Sequence, residues 1–328
     1  MNVLLTGGAG YVGSASLRHL VRKGHHVVAF DDLRKGHEQA VDGNPLVHGD
    51  IADTPLLVKT MREHDIEGVM HFAAATDVGE SVGIPEYHYG NNIGGTLSLL
   101  NAMREAGVNR LLFSSTCATY GESQKEPMTE ETPQEPCSPY ARSKLTVEWM
   151  IRDFAAAHGL GFTILRYFNA SGADPEGRFG EAHDPEFHLI PVVLQFCLGQ
   201  RDKLYVFGND YDTPDGTCVR DYIHVDDLAT AHEAALQAMT PETEDVFNIG
   251  TGTGQSVLEV IESCRRVTGM DIPFELTARR PGDAPLLVAN GEKIRKTLGW
   301  RPHFDTIDAV VETAWRWHRS HPHGYASA

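Results

Sequence analysis

The chain has 328 residues, 41% of them apolar, and a formal net charge of −17. That length suits one large domain or two intimately joined ones, and the acidic balance argues against nucleic acid or an anionic membrane as partner, because phosphate binding needs clustered Lys and Arg. Cys117, Cys137, Cys197, Cys218 and Cys264 are an odd set with no Cys-x-x-Cys pair and read as reduced thiols. With no signal pattern at Met1 and no apolar run near the ~20 residues of a membrane span, a cytoplasmic location is expected.

Asn2–Thr6 reads as a buried strand, Gly7-Gly8-Ala9-Gly10-Tyr11-Val12-Gly13 as a glycine turn, and Ser14–Lys23 as an amphipathic helix. Strand, glycine turn and helix in that order are the context of a dinucleotide phosphate loop, in which Gly7, Gly10 and Gly13 let the backbone approach a pyrophosphate at the helix N-terminus. The next strand, His26–Phe30, ends in Asp31, eighteen residues past Gly13. An acid there accepts from the adenosine ribose hydroxyls and repels a 2′-phosphate, so Asp31 with its neighbour Asp32 favours NAD over NADP. Arg34 and Lys35 are the counter-argument, as basic residues that could take a phosphate.

Strands are expected at Leu46–His48, Val69–Phe72, Arg110–Ser115 and Phe162–Tyr167, and helices at Pro55–Glu63, Asn92–Ala106 and Tyr140–Ala157. This alternation predicts an α/β fold: a Rossmann-type, doubly wound parallel sheet. From Asn169 the chain turns to polar loops and shorter elements, predicting a smaller α/β C-terminal domain. The division is 1–168 for the dinucleotide and 169–328 mainly for substrate, with Val246–Ile249 returning a strand to the sheet. His318, His321 and His323 read as a solvated tail, and no metal ligand set is assigned.

Tyr140 and Lys144, within Ser138-Pro139-Tyr140-Ala141-Arg142-Ser143-Lys144, stand one helical turn apart. A phenol titrates near 10 in water, and a fixed cation beside it favours the phenolate, bringing it into range as a base. The pair alone is equally a solvated helix face; the glycine loop upstream makes the catalytic reading the stronger.

Together with His71-Phe72-Ala73-Ala74, Val78–Val82, Phe113–Thr116, Arg166–Asn169, Val206–Tyr211, Val219–Val225 and Arg279–Asp283, these motifs resemble the extended short-chain dehydrogenase/reductase superfamily and, within it, the UDP-galactose 4-epimerases. The resemblance runs nearly end to end. The glycine loop and Tyr-x-x-x-Lys specify only the superfamily, whereas Phe207-Gly-Asn-Asp-Tyr211 and Arg220-Asp-Tyr-Ile-His-Val225 point to the epimerase branch. It implies that Thr116, Tyr140 and Lys144 are catalytic. It implies NAD contacts from Tyr11, Val12, Asp31, Asp32, Asp50, Ile51, Phe72, Ala73, Ala74, Asn91, Ser114, Tyr140, Lys144, Tyr167 and Phe168. It gives the UDP-sugar to Thr116, Tyr140, Asn169, His188, Leu189, Tyr205, Phe207, Arg220, Arg280, Asp283 and Leu287, with arginine suited to a diphosphate by its planar fork. The implied reaction interconverts UDP-glucose and UDP-galactose through a 4-keto sugar. A homodimer paired through Asn92–Ala106 and Tyr140–Ala157 is implied as well.

Three positions depart from the family pattern. Thr76 stands where many epimerases carry a cofactor-contacting lysine, which predicts weaker NAD retention. His188 replaces the asparagine of some relatives and reads as a tolerated variant. Leu287 lies where residue size governs the group admitted at C2, which predicts a preference for UDP-glucose and UDP-galactose over N-acetyl sugars. UDP-pentoses are a rival substrate class, and an NAD-binding sensor a non-enzymatic rival. A 4,6-dehydratase needs an acid and a base directly after the threonine, and Cys117-Ala118 do not supply them.

Overall fold

In a computed structural model, which describes residues 1–122, 127–280 and 284–325, the centre of the molecule is a seven-stranded sheet. Its order is Glu244–Ile249, Gly161–Tyr167, Arg110–Thr116, Gly68–His71, Asn2–Thr6, His26–Asp31, Leu46–His48, and every pairing is parallel. The chain builds outward from Asn2–Thr6 in one direction, then restarts at Gly68–His71 and builds in the other. The reversal opens a crevice at the carboxyl ends of those two strands, where sheets of this kind take a ligand. Helices cover both faces, which explains why every strand but the edge strand Leu46–His48 is buried along nearly its whole length. One apolar layer contains Leu4, Phe30, Leu99 and Phe113; the opposite layer contains Val3, Leu5, Leu165 and Phe247.

The expected strand return is present: Val246 pairs with Ile164 and Ile249 with Tyr167. Boundaries move where capping decides them. The first helix is Tyr11–Arg22, beginning three residues earlier than periodicity indicates, because Gly10 is its N-cap and Tyr11, Val12 and Gly13 already lie in the first turn. The expected Asn92–Ala106 helix opens as a π-turn, Gly90–Gly94, before the regular segment Gly95–Ala106. The catalytic-motif helix is Pro139–His158, where the Ser138 side chain accepts from the Ala141 N–H and Gly159 closes the other end at φ 69°.

Around Val219–His224 gathers a second, smaller sheet: Asn169–Ser171 and Leu286–Leu287 join it in parallel, and Gly254–Ser256 runs antiparallel. Its apolar core includes Ile190, Val206, Tyr222, Val260 and Val311. Of the three tail histidines expected to be solvated, only His323 is exposed. The helix Ile307–Ser320 buries Trp317 fully and His318 nearly so, His321 stacks on Trp317 at 4.0 Å, and Tyr325 packs there too. A charged-looking tail conceals an amphipathic helix whose apolar face docks on the fold.

Candidate active site

The phosphate turn is built for close approach. A Cβ on Gly13 would sit 2.1 Å from the Gly7 carbonyl oxygen, and one on Gly7 would sit 2.5 Å from the Ala73 nitrogen. Gly7 is also at φ +71°, where side chains are strained. The Phe72-Ala73 backbone therefore lies directly on the turn, with Ala73 N–H donating to the Thr6 carbonyl at 3.0 Å. Tyr11 reaches across to the Gly172 carbonyl at 2.6 Å. Gly13→Ala is expected to lose most bound NAD, read as nucleotide released per chain on heat denaturation, and to cost about 1–3 kcal/mol of stability, because backbone must shift to admit the methyl.

Asp31 is buried at the end of its strand; its carboxylate accepts from the Ala9 N–H at 3.0 Å and the Leu33 N–H at 2.9 Å. Burial raises its pKa, and these two bonds act against the rise. Each oxygen retains a lone pair for a ribose hydroxyl. Arg34 turns back onto Asp32, with Nε at 2.6 Å, and extends to Asn91 Oδ1 at 3.2 Å and Asp50 Oδ2 at 3.5 Å. Lys35 donates to the Asp184 carbonyl at 2.8 Å. The two basic residues that argued for a 2′-phosphate are thus engaged with acids and a carbonyl. Ile51 is buried beneath this corner, in contact range of Gly95. The glycine cradle and the acid at the second strand's end fit a dinucleotide, with Asp31 on the adenosine side. Ala74 is half-buried in the segment just beyond Ala73.

Thr116, Tyr140 and Lys144 converge at the carboxyl end of Arg110–Thr116, and all three are buried. Tyr140 shares a hydrogen bond with the Thr116 side chain. Lys144 Nζ donates to the Ser114 carbonyl at 2.9 Å and lies 4.8 Å from the centre of the Phe113 ring. Ser114 Oγ and the Tyr167 hydroxyl share a short hydrogen bond, and Phe168 is buried one residue on. Thr116 also caps the turn Cys117–Tyr120, accepting from Ala118 N–H at 3.1 Å.

Burial works against the electrostatic expectation. Burial raises Tyr140 well above the ordinary phenol, the neighbouring Tyr167 adds to the rise, and the Thr116 hydrogen bond offsets part of it. Burial likewise lowers Lys144 to about 7, against the pull of Glu148. The i, i+4 spacing does place the two on one helix face, and Lys144 directs one of its three N–H donors to the Ser114 carbonyl. Desolvation is the largest cause of the shift in both groups.

Sequence reasoning missed the supports behind this group. Asn92 accepts from Ala75 N–H at 2.8 Å and donates to Ser143 Oγ at 2.9 Å, tying the crevice loop to the Tyr140 helix. His71 bridges Thr6 and Thr96 at 2.7 and 2.8 Å; burial, then the Lys144 charge, lowers it to about 3, so it stays neutral. Glu148, one turn beyond Lys144, forms a buried fork with Arg166 and also accepts from Ser115 Oγ at 2.6 Å. Polar residues at i, i+4 from Lys144 were the only available signal.

The expected substrate residues arrive on separate elements. Leu287 is in register with Arg220, and Asn169 with Tyr222, so one small sheet carries all three positions. Arg220 donates to the Ala284 carbonyl at 2.7 Å, and Asn169 to the Asp221 carbonyl at 3.0 Å. Asp221 itself accepts from Thr251, Gly252 and Ala289. Tyr205 and Phe207 share one face of Tyr205–Phe207, and the exposed Arg280 lies 3.9 Å over the Phe207 ring. Leu189 packs against the smaller unit's core. Asp283 lies outside the described residues. His188 is more than a tolerated variant: it caps Leu189–Cys197 and is drawn against Glu181 and Glu186 at 2.5 and 3.4 Å. Burial opposes its charge, but Glu181 and then Glu186 outweigh it, raising His188 to about 10.

Residues 3–250 match the NAD dependent epimerase/dehydratase family. The UDP-glucose 4-epimerase of Halalkalibacterium halodurans is 49% identical, over 100% of this chain and 98% of that protein. Among solved structures, the UDP-glucose 4-epimerase of Bifidobacterium longum in complex with NAD+ and UDP is 38% identical, with a TM-score of 0.96 over 99% and 100% of the two chains. That of Stenotrophomonas maltophila, with NAD and formylated UDP-arabinopyranose, is 39% identical, with a TM-score of 0.95 over 98% and 99%. A shared fold, a dinucleotide cradle and similarity over the full length leave one assignment: the chain belongs to the NAD dependent epimerase/dehydratase family.

Proposed function

We propose that this protein is an NAD-dependent UDP-glucose 4-epimerase, and the observation that carries the reading is the convergence of Thr116, Tyr140 and Lys144 at the carboxyl end of the sheet's third strand from the edge. The Gly7–Gly13 turn and Asp31 would hold NAD, which would supply reversible hydride transfer at C4, inversion requiring that the 4-keto sugar turn over between the two transfers. Tyr140 holds and moves the proton of the C4 hydroxyl. Thr116 hydrogen-bonds the same oxygen and aligns it with the phenol, and Lys144 fixes the adjoining backbone through Ser114. Arg220, Arg280, Phe207 and Asn169 are the residues we assign to the UDP handle, which keeps the keto sugar from leaving. Residues 1–168 serve the dinucleotide and 169–328 mainly the UDP-sugar.

A cytoplasmic homodimer belongs to the same proposal. Leu97 and Trp149 are large, exposed apolar side chains, one on each of the helices Gly95–Ala106 and Pro139–His158, and that exposure supports pairing through them. Among the described residues no helix is long and apolar enough to cross a membrane.

The test is NMR of UDP-glucose incubated with purified protein and no added NAD. Growth of the UDP-galactose anomeric signal to a fixed ratio is the expected result, with turnover of UDP-N-acetylglucosamine at least about tenfold slower because Leu287 narrows the space at C2. Turnover only after NAD is added means that Thr76 has weakened cofactor retention. No turnover with or without NAD sinks the reading for hexoses. UDP-xylose is then tried, since the Stenotrophomonas maltophila relative binds a UDP-pentose derivative.

A further inference from the structure

Glu181, His183, Glu186 and His188 bring one ligand atom each to within 4.8 Å of one another. The set spans eight residues of one loop, Glu-x-His-x-x-Glu-x-His, and joins two imidazoles to two carboxylates. Both carboxylates are buried, their side chains 3% and 2% exposed. Buried acids need a compensating charge. His183 Nδ1 is hydrogen-bonded to Glu181 Oε1 at 3.0 Å and lies 3.8 Å from Glu186 Oε2.

A second observation concerns His188. His188 Nδ1 is buried and makes no hydrogen bond of acceptable geometry, although a Glu181 oxygen stands 2.5 Å away and a Glu186 oxygen 3.4 Å away. These separations are those of an ion pair, and a metal ion bound there would displace the imidazolium proton. Glu186 Oε1 is held by the N–H groups of Phe187 and His188 at 2.8 and 2.9 Å, which orients the carboxylate.

We propose that these four residues bind one zinc ion in a four-coordinate, two-nitrogen, two-oxygen site. Zn–N and Zn–O bonds of ~2.0–2.2 Å in a tetrahedron place ligand atoms about 3.3 Å apart, inside the range the cluster already spans. Two carboxylates neutralise the ion, so the site is uncharged when filled. Imidazole with carboxylate suits zinc and its first-row neighbours better than calcium or magnesium.

The location gives the ion a structural task. His37 contacts the Ala182 carbonyl at 2.8 Å, Lys35 donates to Asp184, and the His183 ring lies edge-on to Tyr11 at 6.4 Å. Trp317 Nε1 donates to the Glu181 carbonyl at 2.9 Å. Zinc there pins the loop between the phosphate turn and the C-terminal helix, and fixes the start of Leu189–Cys197 through His188.

The experiment uses the full-length protein, dialysed against chelator and then titrated calorimetrically with zinc chloride. One equivalent per chain is expected, with a rise in Tm of about 4 °C at a hundredfold excess of zinc over Kd. Cobalt(II) chloride is expected to give the strong visible bands of a four-coordinate ion. His183→Ala and Glu186→Gln are each expected to weaken zinc at least about 100-fold and to lose the cobalt bands, with far-UV circular dichroism unchanged. No uptake at 100-fold molar excess overturns the proposal. So does equal affinity in the variants, which would place the metal at the tail histidines. If His183→Ala does not fold, Glu186→Gln, close in shape to the native side chain, and the wild-type cobalt spectrum decide the matter.

Discussion

Tyr140→Phe is expected to lower kcat on UDP-glucose by about 10²–10⁴, the usual yield of a positioned proton-transfer group, while NAD bound per chain stays as in the wild type. The phenylalanine keeps the ring and the packing of a buried position, and loses only the hydroxyl shared with Thr116. Loss of transition-state stabilisation alone lowers kcat and kcat/KM together and leaves KM nearly unchanged. Because burial raises Tyr140 and lowers Lys144 to about 7, the protein's own residues hold the phenol protonated. Deprotonation therefore awaits the charges that the ligands bring. Near-normal turnover by Tyr140→Phe, measured by the same NMR assay, would remove the base assignment.

The second large effect lies away from the chemistry. Glu148→Gln is expected to destabilise the protein by about 3–5 kcal/mol, the cost of leaving a buried charge without its partner. At ~2 cal/mol/K per residue of unfolding entropy this is a fall in Tm of about 4–7 °C, read by calorimetry. Arg166 is 3% exposed and gives Glu148 two bonds, Nε at 2.9 Å and Nη2 at 2.6 Å, with a further bond from Nη1 to the Tyr120 hydroxyl at 2.9 Å. The fork clamps the Pro139–His158 helix onto the two strands that end at Thr116 and Tyr167. Arg166→Met is expected to cost a similar amount. The double variant Glu148→Gln/Arg166→Met should lose clearly less than the sum, because no unpaired charge remains. Simple additivity would mean the pair contributes nothing as a pair.

These two predictions differ in how far they were legible in the chain. Tyr140 and Lys144 could be found because a helical repeat brings them to one face whatever the rest of the molecule does. The glycine loop was equally visible: steric need at Gly7 and Gly13 is local, and the apolar run before it and the amphipathic run after it have distinct periods. The seven-stranded sheet followed from that alternation, down to the returning strand Val246–Ile249.

What lay 16 to 161 residues apart could not be read that way. Glu148 with Arg166, Tyr11 with Gly172, and Arg34 with Asp50 and Asn91 meet only once the sheet has set its strand order. The same holds for the tail, where His318 is buried because the helix docks, not because of its composition. Local spacing determined the elements, the dinucleotide loop and the catalytic pair, since those depend on backbone sterics and on period. Tertiary structure alone decided protonation, the clamp at Glu148 and the gathering at His188, since desolvation and charge pairing depend on which distant groups share one dry space.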